Sequence, residues 1–230
     1  MTLRKNIAVV TGAGRGIGRA TALHLAARGY DVALLSRTIE ELESTAAHVL
    51  ARGQRAISLR CDVGSALEVN HARERIFEEL GVPRVVVNNA GIVRRAPVED
   101  MTDGDWDAVL AANLTGPFLV TRAFLPQMKA QGRGRFVTVA SISSTLGTPH
   151  LSAYCAAKWG VLGFMKSLSE ELRGTGLSAM TVLPGSVDTE MLVGSGFSPR
   201  MQPEDVANTV VYCALDAPEA MNGSAVEVFG

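Results

Sequence analysis

Two hydrophobic rhythms alternate along this chain. Short β-branched runs stand at residues 6–10 (NIAVV), 31–35 (DVALL), 56–59 (AISL), 84–87 (RVVV), 136–139 (FVTV), 178–183 (SAMTVL) and 225–228 (AVEV). Between them lie longer stretches whose apolar residues recur at helical spacing, as Ile17, Ala20, Thr21, Leu23 and Leu25 do over 17–28. Further helices are predicted after the second strand, over about 65–80, 103–130, 152–173 and 204–215. The second of the six carries Glu40, Glu41 and Glu43 on its first turns, where the helix dipole favours acids. Seven strands alternating with six helices predict an α/β fold with a doubly wound parallel sheet. The strands read as continuous apolar runs, as expected when helices cover both faces.

Composition narrows the class. The chain has 230 residues, a formal net charge of −1, 47% hydrophobic residues and 23 glycines. No linker, repeat or second composition regime divides it, so residues 1–230 are read as one domain. Near-neutral charge argues against a broad basic field for nucleic acid or an anionic membrane. Cys61, Cys155 and Cys213 are odd in number and lack a CxxC pair, which suggests reduced thiols in the cytoplasm. No apolar run is read as approaching the ~20 residues of a membrane span. His24, His48, His71 and His150 lie far apart, so no metal site is expected.

The first strand runs into Thr11-Gly12-Ala13-Gly14-Arg15-Gly16-Ile17-Gly18 and then a helix. Glycines let backbone N–H groups approach a pyrophosphate, and the helix N-terminus adds partial positive charge. The strict GxGxxG spacing fails because Ile17 stands three after Gly14; Gly12, Gly16 and Gly18 fit TGxxxGxG. Dinucleotide turns of this kind place an acid about 20 positions on to hold the adenosine ribose. The second strand instead ends Leu35-Ser36-Arg37. Arg37, with Arg15 in the turn, suits a 2′-phosphate, which favours NADP over NAD. Either arginine alone also fits an ordinary surface position.

Tyr154 and Lys158 are four residues apart on a predicted helix and share a face. An ammonium nearby favours the phenolate and is expected to lower the tyrosine pKa from ~10. Tyr154 then suits general acid chemistry on a carbonyl, or base chemistry on an alcohol. Ser141, 13 residues upstream, offers a second hydroxyl for the same oxygen.

These motifs, together with Asp62-Val63, Asn88-Asn89-Ala90-Gly91, Asn113 and Pro184-Gly185, resemble the short-chain dehydrogenase/reductase family over nearly the whole chain. Within it the pattern is most like 3-oxoacyl-acyl-carrier-protein reductases and generic ketone reductases. The resemblance implies a Rossmann fold and hydride transfer between NADP(H) and a carbonyl or secondary alcohol. It implies that Tyr154 is the acid/base, that Ser141 polarises the carbonyl, and that Lys158 binds the nicotinamide ribose. Asn113 would hold a water linking Lys158 to solvent. Gly12, Gly14, Arg15, Gly16, Ile17 and Gly18 would line the phosphates, with Ser36 and Arg37 at the adenosine end. Asp62 would meet the adenine amino group, Val63 the ring, and Asn89, Ala90 and Gly91 the ribose. Pro184, Gly185, Val187 and Thr189 would hold the nicotinamide. Ser143, His150 and Met191 are candidate substrate contacts beside Ser141 and Tyr154.

Pro117, four after Asn113, removes a helical hydrogen bond to residue 113 and predicts a kink there, unless it only separates two helices. Trp106 and Trp159 fall on helices as core or interface anchors. Residues 186–202 form the expected substrate loop, with Gly194 and Gly196 permitting motion. Its shortness predicts an open pocket. The family's habit implies a homodimer or homotetramer through the helices at 103–130 and 152–173. Two alternative readings make different demands on the chain. A sugar-nucleotide epimerase or dehydratase needs a C-terminal substrate domain, for which an end at Gly230 leaves no room. A non-catalytic NADP-binding regulator predicts loss of Ser141, Tyr154 or Lys158, and all three are present.

Overall fold

A computed structural model describes residues 6–230. Seven strands form one sheet: β1 (Ile7–Thr11), β2 (Asp31–Ser36), β3 (Ala56–Arg60), β4 (Val85–Asn88), β5 (Gly134–Val139), β6 (Leu177–Pro184) and β7 (Ala225–Val228). All pairs are parallel, in the order β3-β2-β1-β4-β5-β6-β7. The helices are α1 (Gly16–Ala27), α2 (Ile39–Leu50), α3 (Ala66–Glu79), α4 (Asp103–Leu110), α5 (Gly116–Gln131), α6 (Ser152–Glu171) and α7 (Pro203–Val211).

Strand alternation divides the core in two. Ala8 and Val10 of β1 pack with Leu25 of α1, Leu42 and Val49 of α2, and Val206 and Val210 of α7. Ile7 and Val9 point the other way, to Val69 and Ile76 of α3, Phe124 of α5 and Met165 of α6. Each face is therefore closed by one layer of three helices, and the central strands have no polar face to show. Phe124 also meets Phe77 edge-on at 5.7 Å between ring centroids, joining α5 to α3.

The strand order reverses direction at β1. Its carboxyl end, with that of β4 beside it, opens the crevice where ligands bind in such sheets. Thr11, the last residue of β1, holds the two strand ends in place. Its hydroxyl donates to the Val87 carbonyl at 3.3 Å and accepts from the amides of Asn89 (2.9 Å) and Ala90 (3.0 Å).

Two expectations change. The helical run Asp103–Gln131 is unbroken, and a π turn at Ala111–Thr115 replaces the expected proline kink. Gly116 N–H reaches back to the Ala111 carbonyl, one residue further than in an α-helix. Pro117 follows closely on the π turn inside the continuous run, and its missing N–H leaves the helical ladder one bond short there. The same run is long and apolar enough by composition to cross a membrane, contrary to the reading from short runs. Its apolar residues belong to the helix layers, and half of its most apolar window is buried. Trp106 and Trp159 lie on helices outside the core, both substantially exposed, which leaves the interface half of their expected role.

Candidate active site

The carboxyl ends of the strands open into a cleft of about 1150 Å³. It runs from Ser36, Arg37 and Asp62 at one end, past the glycine turn, to Ser141, Tyr154 and Lys158 at the other. Every residue expected to bind cofactor or substrate lines it except Gly18, which is buried beneath.

The glycine turn is shaped by what it excludes. A Cβ on Gly18 would stand 2.1 Å from the Gly12 carbonyl oxygen and 2.4 Å from Asn89 Nδ2. Gly12 and Gly16 have φ of +64° and +51°, which β-carbons disfavour. The Asn89 amide donates to the carbonyls of Thr11 (3.0 Å) and Gly12 (3.2 Å), anchoring the turn to β4. No side chain caps the start of α1, so its first N–H groups face the cleft. Thr45, fully buried on α2, places its hydroxyl 3.1 Å from the Ala13 carbonyl and 3.3 Å from that of Gly14. The sequence gives Thr45 a single signal, a polar residue three after Leu42 on the core-facing side of α2.

At the adenosine end the charges differ from expectation. Arg15 pairs with Glu190 at 2.5 Å and with Glu41 at 3.4 Å. Glu41 brings from the first turn of α2 the carboxylate that the end of β2 lacks, and it lines the cleft. Arg37 makes no ion pair among the described residues and lines the cleft beside Ser36. Asp62 accepts from the Gly64 amide at 2.9 Å, and Val63 is largely buried, packed against Gly116.

At the other end Ser141 is extended (φ −172°) and starts the 3₁₀ turn Ile142–Ser144. Its Oγ accepts from the Ser143 amide at 3.1 Å, which leaves the hydroxyl proton free to point into the cleft. Ser143 itself is buried in the cleft wall. Tyr154 and Lys158 project from the first two turns of α6, both more than nine-tenths buried. The ammonium stands 5.4 Å from the Tyr154 ring centroid and donates to the Val139 carbonyl at 3.1 Å. Burial pushes the Tyr154 phenol up to about 12, against the opposing effects of the Ser141 hydroxyl and the Arg95 charge. Burial also lowers Lys158 to about 8. The direction is thus opposite to the expected lowering by the lysine: loss of hydration dominates, and the opposing effects come from Ser141 and Arg95, not from Lys158.

Asn113 occupies the π turn and is buried. Its amide nitrogen donates to the carbonyls of Ile92 (2.8 Å) and Val109 (2.9 Å). Its Oδ1 is buried without a partner. A Cβ on Gly91 would fall 2.5 Å from that oxygen and 3.8 Å from Lys158 Nζ, so the three groups converge.

The loop after β6 is pinched at its base. Val187 bridges Met201, Asp188 N–H bonds the Met201 carbonyl at 2.9 Å, and Arg200 N–H bonds that of Ser186 at 3.0 Å. Residues 189–199 therefore form a flap across the cleft. Thr189 lies over Gly16, Glu190 meets Arg15, and Met191 brings its sulfur 4.0 Å from the Tyr154 hydroxyl. His150 adopts φ +63° in the loop before α6 and lines the same end.

Comparison with known proteins agrees with this geometry. The family profile described as short chain dehydrogenase matches residues 6–196. A 3-oxoacyl-[acyl-carrier-protein] reductase of Synechocystis is 36% identical, covering 95% of this chain and 92% of its own. A D-threitol dehydrogenase of Mycolicibacterium smegmatis is 34% identical over 97% of this chain and 91% of its own. A short-chain type dehydrogenase/reductase of Mycobacterium marinum superposes with a TM-score of 0.93 at 30% identity, covering 98% and 94% of the two chains. Levodione reductase superposes with a TM-score of 0.91 at 29% identity, covering 97% and 95%.

Proposed function

This chain belongs to the short-chain dehydrogenase/reductase family of oxidoreductases, which use a nicotinamide cofactor, and we propose that it transfers a hydride between NADP(H) and a ketone or secondary alcohol, in the direction of NADPH-dependent ketone or 3-oxoacyl reduction. One observation carries the reading: Ser141, Tyr154 and Lys158 meet at the end of a glycine-lined cleft whose far end holds the unpaired Arg37. The cleft fits the cofactor, since the glycine turn is held at a spacing that any Cβ would fill. Gly12, Gly14, Gly16 and the start of α1 would take the diphosphate, Ser36 and Arg37 the 2′-phosphate. Pro184, Gly185, Val187 and Thr189 would hold the nicotinamide, which supplies or takes the hydride.

The chain's own residues do the rest. The Tyr154 phenol, near 12, is protonated across the physiological range and so serves as the acid for a carbonyl oxygen. The Ser141 hydroxyl, one of its two lone pairs taken by the Ser143 amide, donates to the same oxygen. Lys158 holds the ribose side of the site, and Asn113 Oδ1 is the acceptor for a water that returns protons to it. Dinucleotide binding and catalysis share residues 1–230, with 186–202 as the substrate loop. We further place the enzyme in the cytoplasm, in line with three free cysteines. We take it to be a homodimer or homotetramer through Asp103–Gln131 and α6, on which Trp106, Phe118 and Trp159 are exposed.

The test is absorbance at the reduced-nicotinamide band over a carbonyl panel, with NADPH and NADH in parallel. NADPH oxidation should dominate, and Tyr154→Phe should lower kcat at least a hundredfold, the scale of general acid catalysis. Preference for NADH overturns the cofactor assignment; full turnover by Tyr154→Phe overturns the mechanism.

A further inference from the structure

Three loops converge above the Tyr154 hydroxyl, and one cation stands where they meet. The segment after β4 is fastened from two sides. Asn113 Nδ2 holds the Ile92 carbonyl at 2.8 Å, and the Ala96 amide donates to the His150 carbonyl at 3.1 Å. Arg95 lies between these anchors, so a fixed backbone delivers its side chain to the cleft. Its Nη2 donates to the Met191 carbonyl at 2.7 Å. The Met191 sulfur, on the same residue, is 4.0 Å from the Tyr154 hydroxyl. Met191 therefore touches both groups, its carbonyl at the guanidinium and its sulfur at the hydroxyl, and the charge of Arg95 reaches the phenol across it.

That charge is not neutralised. Arg94, the next residue back, pairs with Asp105 at 3.0 Å, and Arg15 takes the carboxylates of Glu41 and Glu190. Arg95, exposed at the cleft wall, makes no ion pair among the described residues and gives its hydrogen bond to a neutral carbonyl. Asp188 also lines the cleft but forms no ion pair with it. Lys158 is turned to the Val139 carbonyl in the buried wall. One N–H of the Arg95 fork is used, and the others remain for a planar, two-pronged acceptor.

We propose that Arg95 binds an anionic group of the substrate, so that the preferred carbonyl compound carries a carboxylate or phosphate within a few bonds of the reacting carbon. The proposal rests on the hydride-transfer reading of the same cleft. Of the two substrate classes given there, it selects a small charged ketone over a neutral acyl thioester. Met191 is part of the recognition: the bond that Arg95 now gives to its carbonyl can be exchanged for the incoming anion, which moves the flap.

Matched pairs test it. The 2-, 3- and 4-oxo acids are compared with their methyl esters, and dihydroxyacetone phosphate with dihydroxyacetone, in wild type, Arg95→Gln and Arg95→Lys. For one anionic class kcat/KM should exceed that of the neutral partner at least tenfold. Arg95→Gln should erase most of that ratio through KM of the anion, and Arg95→Lys should recover part of it. Which pair shows the ratio tells carboxylate from phosphate. Neutral partners turning over as well as the anions, or the same ratio in Arg95→Gln, overturns the proposal. If no compound turns over, the hydride-transfer reading fails, and a titration with the same acids and phosphates still decides for Arg95. Thermal stabilisation of wild type by a millimolar anion, halved or worse in Arg95→Gln, supports the site; equal shifts refute it.

Discussion

The Lys158 ammonium gives its hydrogen bond to the Val139 carbonyl, 3.1 Å away. A buried cation held by one neutral acceptor is poorly solvated, and burial moves Lys158 from 10.5 to about 8. Between those values the unfolded chain binds a proton that the folded chain lacks. Stability therefore rises with pH from 8 toward 10.5, and the lysine's unfavourable contribution is fully present below 8. A shift of this size is worth up to about 3 kcal/mol. Urea unfolding from pH 7 to 10 should show the difference between wild type and Lys158→Met moving by up to that amount in favour of wild type. Cys61 and Cys213, both raised by burial, titrate in the same range but cancel in the difference. Parallel curves would refute the assignment.

Arg15 and Glu190 tie the glycine turn to the flap. Both are mostly exposed, so the pair itself is worth at most ~1 kcal/mol. It nevertheless competes with any phosphate that Arg15 meets. Glu190→Gln should raise the NADP⁺/NAD⁺ affinity ratio by about two- to fivefold, within that energy. Arg37→Ala should lower the ratio at least tenfold. Calorimetric titration with both nucleotides measures each.

Gly18 and Gly104 should respond oppositely to alanine. At Gly18 the new carbon meets the Gly12 backbone, which cannot step aside. The cost is on the order of 1–3 kcal/mol, or several degrees in Tm for a chain this long. At Gly104, on exposed helix α4, a Cβ meets nothing within 4 Å. There alanine should stabilise by up to ~1 kcal/mol through helix propensity. Differential scanning calorimetry on the two variants separates the cases.

Thr45 tests how far the cofactor turn depends on its support. One hydroxyl proton serves the carbonyls of Ala13, Gly14 and Glu41 in turn. Thr45→Val keeps the shape and strands those acceptors, at about 1 kcal/mol or slightly more. Dinucleotide Kd should rise several-fold, and Thr45→Ser should restore it. A Kd unchanged by valine would show that the turn holds its own shape.

The central strands could be read almost to the residue, as with 178–183 against Leu177–Pro184, because burial on both faces makes them nearly continuous apolar runs. The sequence also points to the residues that line one cleft, the glycine turn after β1 and Tyr154 and Lys158 on α6, because their spacing is unusual for purely structural positions. What stayed hidden depends on three-dimensional approach. Glu41 enters the cleft from a helix, not from the strand end where an acid was sought. Arg95 and Met191 meet across 96 positions of sequence. The phenol's upward shift reflects the dryness of the site, which a Tyr–Lys spacing does not encode.

The π turn at Ala111–Thr115 also sets the phase of a long rod. One residue of an α-helix is 100° of rotation, so the extra residue turns α4 relative to α5 by roughly that angle. The upstream half can then lay Val109 against the Tyr154 end of α6, while the downstream half lays Val120 and Phe124 on the sheet. Removing Ala112 would restore an even winding and force a choice between these two seats. The single surplus residue thus makes one helix serve two partners, with Asn113 at the joint between them.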